Sequence, residues 1–207
     1  MKQSLRTLAF VLLVAIGWTG QANADSITIN FTADNATLVG AICADVNCTN
    51  FNLDIILIDG TEPNASTWQN ADTVVFDLAS GTYGIAFAVE NFGQGGAGNP
   101  AGFLAEILWQ GMTNVTSSAW DVTVDGVNWV SATEWAQNGT GIWGGNLLGE
   151  ISSDAFWIWD DINFNGDTQA IAGFRTSITV TAVPEPGTLM LLGIGLLGMG
   201  VARRKKV

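Results

Sequence analysis

Hydrophobic residues fall into three regimes along this chain. Residues 8–18 form a continuous apolar stretch behind Lys2 and Arg6, and residues 188–202 form a second, uncharged one that ends at Arg203, Arg204, Lys205 and Lys206. Between them the apolar positions come in short β-branched and aromatic runs separated by Gly, Asn and Asp clusters, with almost no helical periodicity. That is the pattern of an all-β chain. It predicts strands at 27–32, 53–58, 73–78, 85–91, 102–109, 120–124, 156–159 and 174–181. In the last of these Phe174, Thr176, Ile178 and Val180 fall on one face and Arg175, Ser177, Thr179 and Thr181 on the other, the period of a half-buried antiparallel strand. An antiparallel β-sandwich is the economical way to bury such faces. Glycine-rich stretches at 93–98 and 139–149 read as loops, and neither is followed by the helix and lysine that a phosphate cradle needs.

The two terminal stretches divide the chain. Ala22 and Ala24 occupy the small-residue positions of a signal-peptidase site, so 1–24 reads as a signal peptide and Asp25 as the first mature residue. At the other end Pro184 and Pro186 flank Glu185; two fixed φ angles and two missing amide donors keep that segment extended and accessible. The helix expected at 188–202 would rise about 22 Å, short of the roughly 30 Å hydrocarbon core, which makes it a marginal transmembrane anchor. The basic cluster 203–206 stays cytoplasmic under the positive-inside rule and places everything before Pro184 across the membrane. A plain tail anchor is the alternative. The ectodomain, 25–182, is the size of one domain.

Charge narrows the function. Of the 19 acids only Glu185 lies in the tail, which leaves 18 in the ectodomain against the single base Arg175. Such a surface repels phosphates and anionic headgroups, so nucleic acid is disfavoured and the membrane is met only through the C-terminal helix. Divalent cations and neutral sugars are the partners it permits. The chain has no histidine, which removes the serine and cysteine triads and the usual proton shuttle. Cys43 and Cys48 are the only cysteines, and in an exported protein they are expected to form a small-loop disulfide.

Eight tryptophans lie in the ectodomain, five of them at Trp120, Trp129, Trp135, Trp143 and Trp157. Indole faces suit the C–H patches of sugar rings, and Glu134 beside Trp135 and Asn146 near Trp143 would take hydroxyls. Trp120, Trp129, Trp135 and Trp143 with those two partners are therefore the carbohydrate-binding candidates, against the alternative that a tryptophan is simply core. Trp157 and Trp159, on one expected strand face, read as core. The run from Asp161 through Asn163, Asn165 and Gly166 to Asp167 has the oxygen spacing and the glycine of a calcium loop. Its twelfth position is Ala172, so it is not a complete EF-hand, and Asp160 or Asp154 would have to supply a further ligand; an Asn/Asp/Gly turn is the competing reading. Six Asn-X-Ser/Thr triplets read as chance.

The tail, with Pro-Glu-Pro at 184–186, a glycine-studded apolar helix and a basic end, resembles the PEP-CTERM sorting signal of exported proteins in Gram-negative bacteria that make extracellular polysaccharide. The resemblance implies an exosortase, a membrane cysteine transpeptidase, acting near Pro184 to Pro186 after transient anchoring in the inner membrane, with the product reaching the cell surface or extracellular matrix. Within the ectodomain, segments 68–91, 98–107, 118–120, 129–134, 154–159 and 174–180 resemble the galactose-binding-like jelly roll, with a departure in the long segment 43–52. These features favour a non-enzymatic surface or matrix protein that binds carbohydrate or associates with exopolysaccharide. A structural matrix or surface-layer subunit with calcium-dependent self-association is the alternative. A glycoside hydrolase would need two of Glu90, Glu106, Glu134 and Glu150 held about 5 to 9.5 Å apart in a cleft.

Overall fold

The computed structural model describes residues 24–49, 56–58, 67–92, 100–141, 145, 147–161 and 171–182, and Ala24–Thr181 is one compact unit. Its strands are β1 (Asp25–Asp34), β2 (Ala36–Cys43), β3 (Ile56–Ile58), β4 (Asp72–Leu78), β5 (Gly81–Glu90), β6 (Gly102–Trp109), β7 (Met112–Val115), β8 (Asp121–Thr123), β9 (Val130–Ser131), β10 (Thr133–Gln137), β11 (Phe156–Trp159) and β12 (Ile171–Val180), with one short 3-10 turn at Thr67–Gln69. They form two antiparallel sheets. The first runs β10-β11-β6-β1-β4, with β7 also on β6; the second runs β3-β2-β5-β12-β8-β9. The signal peptide and the sorting tail, including the expected helix at 188–202, lie outside the described residues, as does the glycine-rich stretch 93–98.

The all-β expectation holds, and β6 and β11 have the bounds that periodicity predicts. Four strands were not expected. β2 reads Ala-Thr-Leu-Val-Gly-Ala-Ile-Cys, too small and glycine-interrupted to announce itself; pairing with β5 on one side and β3 on the other makes it a strand. β7 is the return arm of a tight hairpin whose turn residues Gln110 and Gly111 have φ of 50° and 74°. β9 and β10 are interrupted at buried Ala132, whose amide leaves the ladder to donate to the Trp120 carbonyl at 2.8 Å.

Alternation fills the space between the sheets. Ile27, Ile29, Phe31 and Ala33 of β1 and Phe103, Ala105 and Ile107 of β6 meet Ile85, Phe87 and Val89 of β5 and Phe174, Ile178 and Val180 of β12, all buried. The seam is aromatic. Phe87 lies 5.1 Å from Phe31 and 5.0 Å from Phe103, and Phe103 lies 4.9 Å from Phe174, so the rings alternate between sheets. Such pairs add about 0.5–1.5 kcal/mol each beyond the area they bury.

A second, smaller core lies on the outer face of the first sheet. Leu104 and Trp157 point there, and the segment between β10 and β11 covers them with Leu148, Ile151 and Ala155. The expectation that Trp157 and Trp159 share a face needs correcting: both are buried, but Trp157 sits under this segment while Trp159 turns between the sheets, 5.4 Å from Phe174. Asn138 shapes the covering segment. Its side-chain amide donates to the carbonyls of Leu148 at 3.1 Å and Ile151 at 2.8 Å, its carbonyl accepts the Leu148 amide at 3.2 Å, and its own backbone amide donates to Ala155 at 2.8 Å. Asn30 anchors the segment to β1 by donating to the Glu150 carbonyl at 2.6 Å.

Replacing Asn138 by Ala strands two buried carbonyls and an amide, so Asn138→Ala is expected to lose about 2–3 kcal/mol in denaturant unfolding. Proteolysis should then begin within 139–149. An unchanged midpoint would contradict the assigned role.

Candidate functional site

The outer face of the second sheet carries almost no bulk. Ala41 of β2, Ala86 and Ala88 of β5 and Gly173 of β12 form a shallow floor, and above it lies a groove of about 500 Å³ walled by Val39, Ile171 and Trp129. That volume lies within the range of small-ligand sites. A knot of chain packs on two of the floor alanines: Cys43 and Cys48 are disulfide-bonded with Cα atoms 5.3 Å apart, and they cluster with Ala41 and Ala86. The expected disulfide is therefore present. The knot can lie this close because residue 84 is glycine; a Cβ there would collide with the Asp45 carbonyl oxygen.

Trp129 is positioned by two residues of β12. The guanidinium of Arg175 lies over its ring, 4.1 Å from the centroid, an attraction between a cation and the negative face of the indole. The same guanidinium donates through Nε to Asp121 Oδ2 at 3.0 Å and through Nη1 to the Asn47 carbonyl at 3.1 Å. Arg175, the ectodomain's only base, thus joins the disulfide knot, β8 and the groove wall. Gly173 lies beneath the indole, where a Cβ would stand 3.2 Å from Trp129 Cη2 and 3.0 Å from Thr123 Cγ2.

The rim is a self-contained turn. Asp125 Oδ1 accepts from the amides of Val127 at 2.8 Å and Asn128 at 2.7 Å and from the Thr123 hydroxyl at 3.0 Å, while Oδ2 accepts from the Asn128 side-chain amide at 2.6 Å. These hydrogen bonds, the Asn128 backbone amide foremost, hold its carboxyl far below the usual carboxylate range. Asp45 is lowered in the same way, chiefly by the Thr49 hydroxyl.

The tryptophan candidates separate. Trp129 lines the groove. Trp120 is a correction: it is wholly buried, 5.9 Å from Phe103, and its indole N–H donates to Asn114 Oδ1 and the Val115 carbonyl, both at 3.0 Å, so neither face can meet a ligand. Trp135, on β10 of the first sheet, is partly buried against both cores. Glu134 is exposed and caps a turn by accepting the Ser118 amide at 2.7 Å. Neither Trp135 nor Glu134 lines the groove. Trp143 and Asn146 lie outside the described residues, and of the calcium candidates so do Asn163, Asn165 and Asp167; Asp161 is exposed. Among the described residues no three His, Cys, Asp or Glu side chains cluster as metal ligands. None of Glu90, Glu106, Glu134 and Glu150 lines the groove. Sequence reasoning missed Arg175, Gly173 and the alanine floor as site residues; a lone base in an acidic domain was the one visible signal.

β12 ends under a clamp. The Gln110 side chain donates to the Thr181 carbonyl at 2.7 Å and accepts from the Thr181 amide at 3.0 Å. Immediately beyond, residues 182–206 match the model of the PEP-CTERM protein-sorting motif. The tail is a PEP-CTERM sorting signal. The PEP-CTERM signal makes this an exported, exosortase-sorted extracellular protein, anchored transiently in a membrane through its C-terminal region. Its match begins one residue after the clamped Thr181, so the folded unit ends where the sorting segment starts. No curated protein and no solved structure matches the chain.

The depressed Asp125 carboxyl has a sign that can be checked. A folded-state pKa below the unfolded one contributes stability above the unfolded value, near the ordinary 3.8, and loses it as pH falls below that value. Asp125→Ala should therefore unfold at lower denaturant than the parent near neutral pH, with the gap closing as pH is taken down towards about 2. A gap that stays constant with pH would contradict the assigned hydrogen bonds.

Proposed function

We propose that this protein is a non-enzymatic component of a bacterial cell surface or extracellular matrix and that it associates with polysaccharide through the groove on the second sheet. The observation that carries this reading is the half-buried Trp129, fixed by Arg175 beside an alanine and glycine floor. An indole held in place at the groove wall offers an aromatic surface with little ordering cost on binding. The sorting signal supports the location, since it delivers the folded unit outside the cell. Among the described residues that line the groove the only carboxylate is Asp125, which is hydrogen-bonded within its own turn, so these residues offer no second acid to pair with it. This supports holding over cleaving. The strand order, with the chain passing repeatedly from one sheet to the other, supports reading the sandwich as a galactose-binding-like jelly roll.

Titration of the exported protein with matrix polysaccharide purified from the producing bacterium tests the proposal. Trp129→Ala is expected to weaken binding at least about tenfold, the scale of losing one aromatic anchor. Glu134→Gln, on the other sheet, should leave it unchanged. Loss of binding in Glu134→Gln with none in Trp129→Ala would move the site away from the groove.

A further inference from the structure

The groove joins an apolar bed to a rim of one charge. Val39, Val124 and Ile171 stand exposed around the alanine and glycine floor, beside the half-buried Trp129. Among the described residues that line it, the one ionisable side chain is Asp125. Its turn spends donors and keeps acceptors. The amides of Gly126, Val127 and Asn128 and the Thr123 hydroxyl all donate inside the turn, three of the four to Asp125 Oδ1. Oδ2 takes only the Asn128 side-chain amide, so this exposed oxygen retains acceptor capacity. The Asp125 and Gly126 carbonyls likewise accept no hydrogen bond among the described residues. Charge beyond the rim has the same sign. The ectodomain sets 18 acids against Arg175, and that guanidinium is already held by Asp121, the Asn47 carbonyl and the indole. An anionic ligand would be repelled and would find no uncommitted cation.

Resting on the groove reading, we infer that the ligand is a polysaccharide bearing free amino groups, with C–H faces of its sugar rings on the apolar bed and an ammonium at Asp125. An ammonium carries three donors and no acceptor, the complement of a rim that keeps acceptors. Its contact with a carboxylate is a charge-assisted hydrogen bond. The rest of the domain adds to the attraction, because its net charge draws a cation towards any part of the surface. N-acetylation of the sugar removes the charge and all but one of the donors. A uronate reverses the sign. The hydrogen bonds of the turn keep the Asp125 carboxyl ionised well into acid, so it stays charged under conditions that protonate the amine.

The test titrates hexasaccharides of glucosamine, N-acetylglucosamine and galacturonic acid into the exported protein. At low salt the glucosamine hexamer should bind about fivefold more tightly than the acetylated one, the scale of one exposed charge pair. That preference should shrink as salt is added, and galacturonate should not bind. Asp125→Asn keeps an oxygen for the Val127 and Asn128 amides and removes the charge. With cooperative unfolding retained, it should abolish the preference, whereas Asp77→Asn, exposed on β4 of the other sheet, should preserve it. A preference lost equally in both variants would mark general attraction to an acidic surface and overturn the inference. Equal affinity for the two neutral-backbone hexamers, a preference insensitive to salt, tighter binding of galacturonate or binding of none of the three would also overturn it. The groove reading is judged separately, since it stands through each of these results while Trp129→Ala weakens binding of the matrix polysaccharide and falls if that substitution leaves it unchanged.

Discussion

The arrangement of the site depends on one guanidinium. Arg175 is the only base in an ectodomain with 18 acids, and its place on β12 lets it reach Asp121, the Asn47 carbonyl and the face of Trp129 together. Asp121 and Asn47 are 54 and 128 residues away in sequence, so the contact ties β8 and the disulfide knot to the last strand. Arginine suits the task because its planar fork can donate in two directions while its face stacks on an aromatic ring. Lysine could supply the charge but not that geometry. Without the guanidinium, Trp129 would lose the contact on its ring face.

Around that contact the sandwich keeps its two faces different. The inner faces are crowded with Phe31, Phe87, Phe103 and Phe174, which fix how the sheets lie on each other. The outer face of the first sheet is closed by the segment that Asn138 folds over Leu104 and Trp157. The outer face of the second sheet is instead built from alanine and glycine and left with a groove. A face meant only to be covered would carry larger side chains to bury against its cover, as Leu104 and Trp157 do. The groove is therefore a property of residue size on one side of one sheet, set by Ala41, Ala86, Ala88 and Gly173.

What the sequence revealed was local. The alternation along Phe174–Val180 and the apolar run at 102–109 carried enough period to place β12 and β6, and the tail carried its own address in Pro184, Glu185 and Pro186. The site was not local. Trp120 and Trp129 look alike in sequence, each standing one residue before a short strand, yet one is pinned in the core by Asn114 and the other stands at the groove under Arg175. Only the pairing of β12 with β8 and β5 decides which indole is covered. β2 was hidden for a related reason: its small residues give a weak strand signal, and they are small because the disulfide knot and the groove lie against them.

The most direct test is the indole N–H spectrum of the ¹⁵N-labelled exported protein, with the Trp129 signal assigned by its disappearance in Trp129→Phe. In Arg175→Met, which keeps the stem and removes the cation, that one signal should move towards the position of a free indole while the signals of Trp120, Trp157 and Trp159 stay in place. An unmoved Trp129 signal would contradict the account, because the groove wall would then stand without the guanidinium said to hold it.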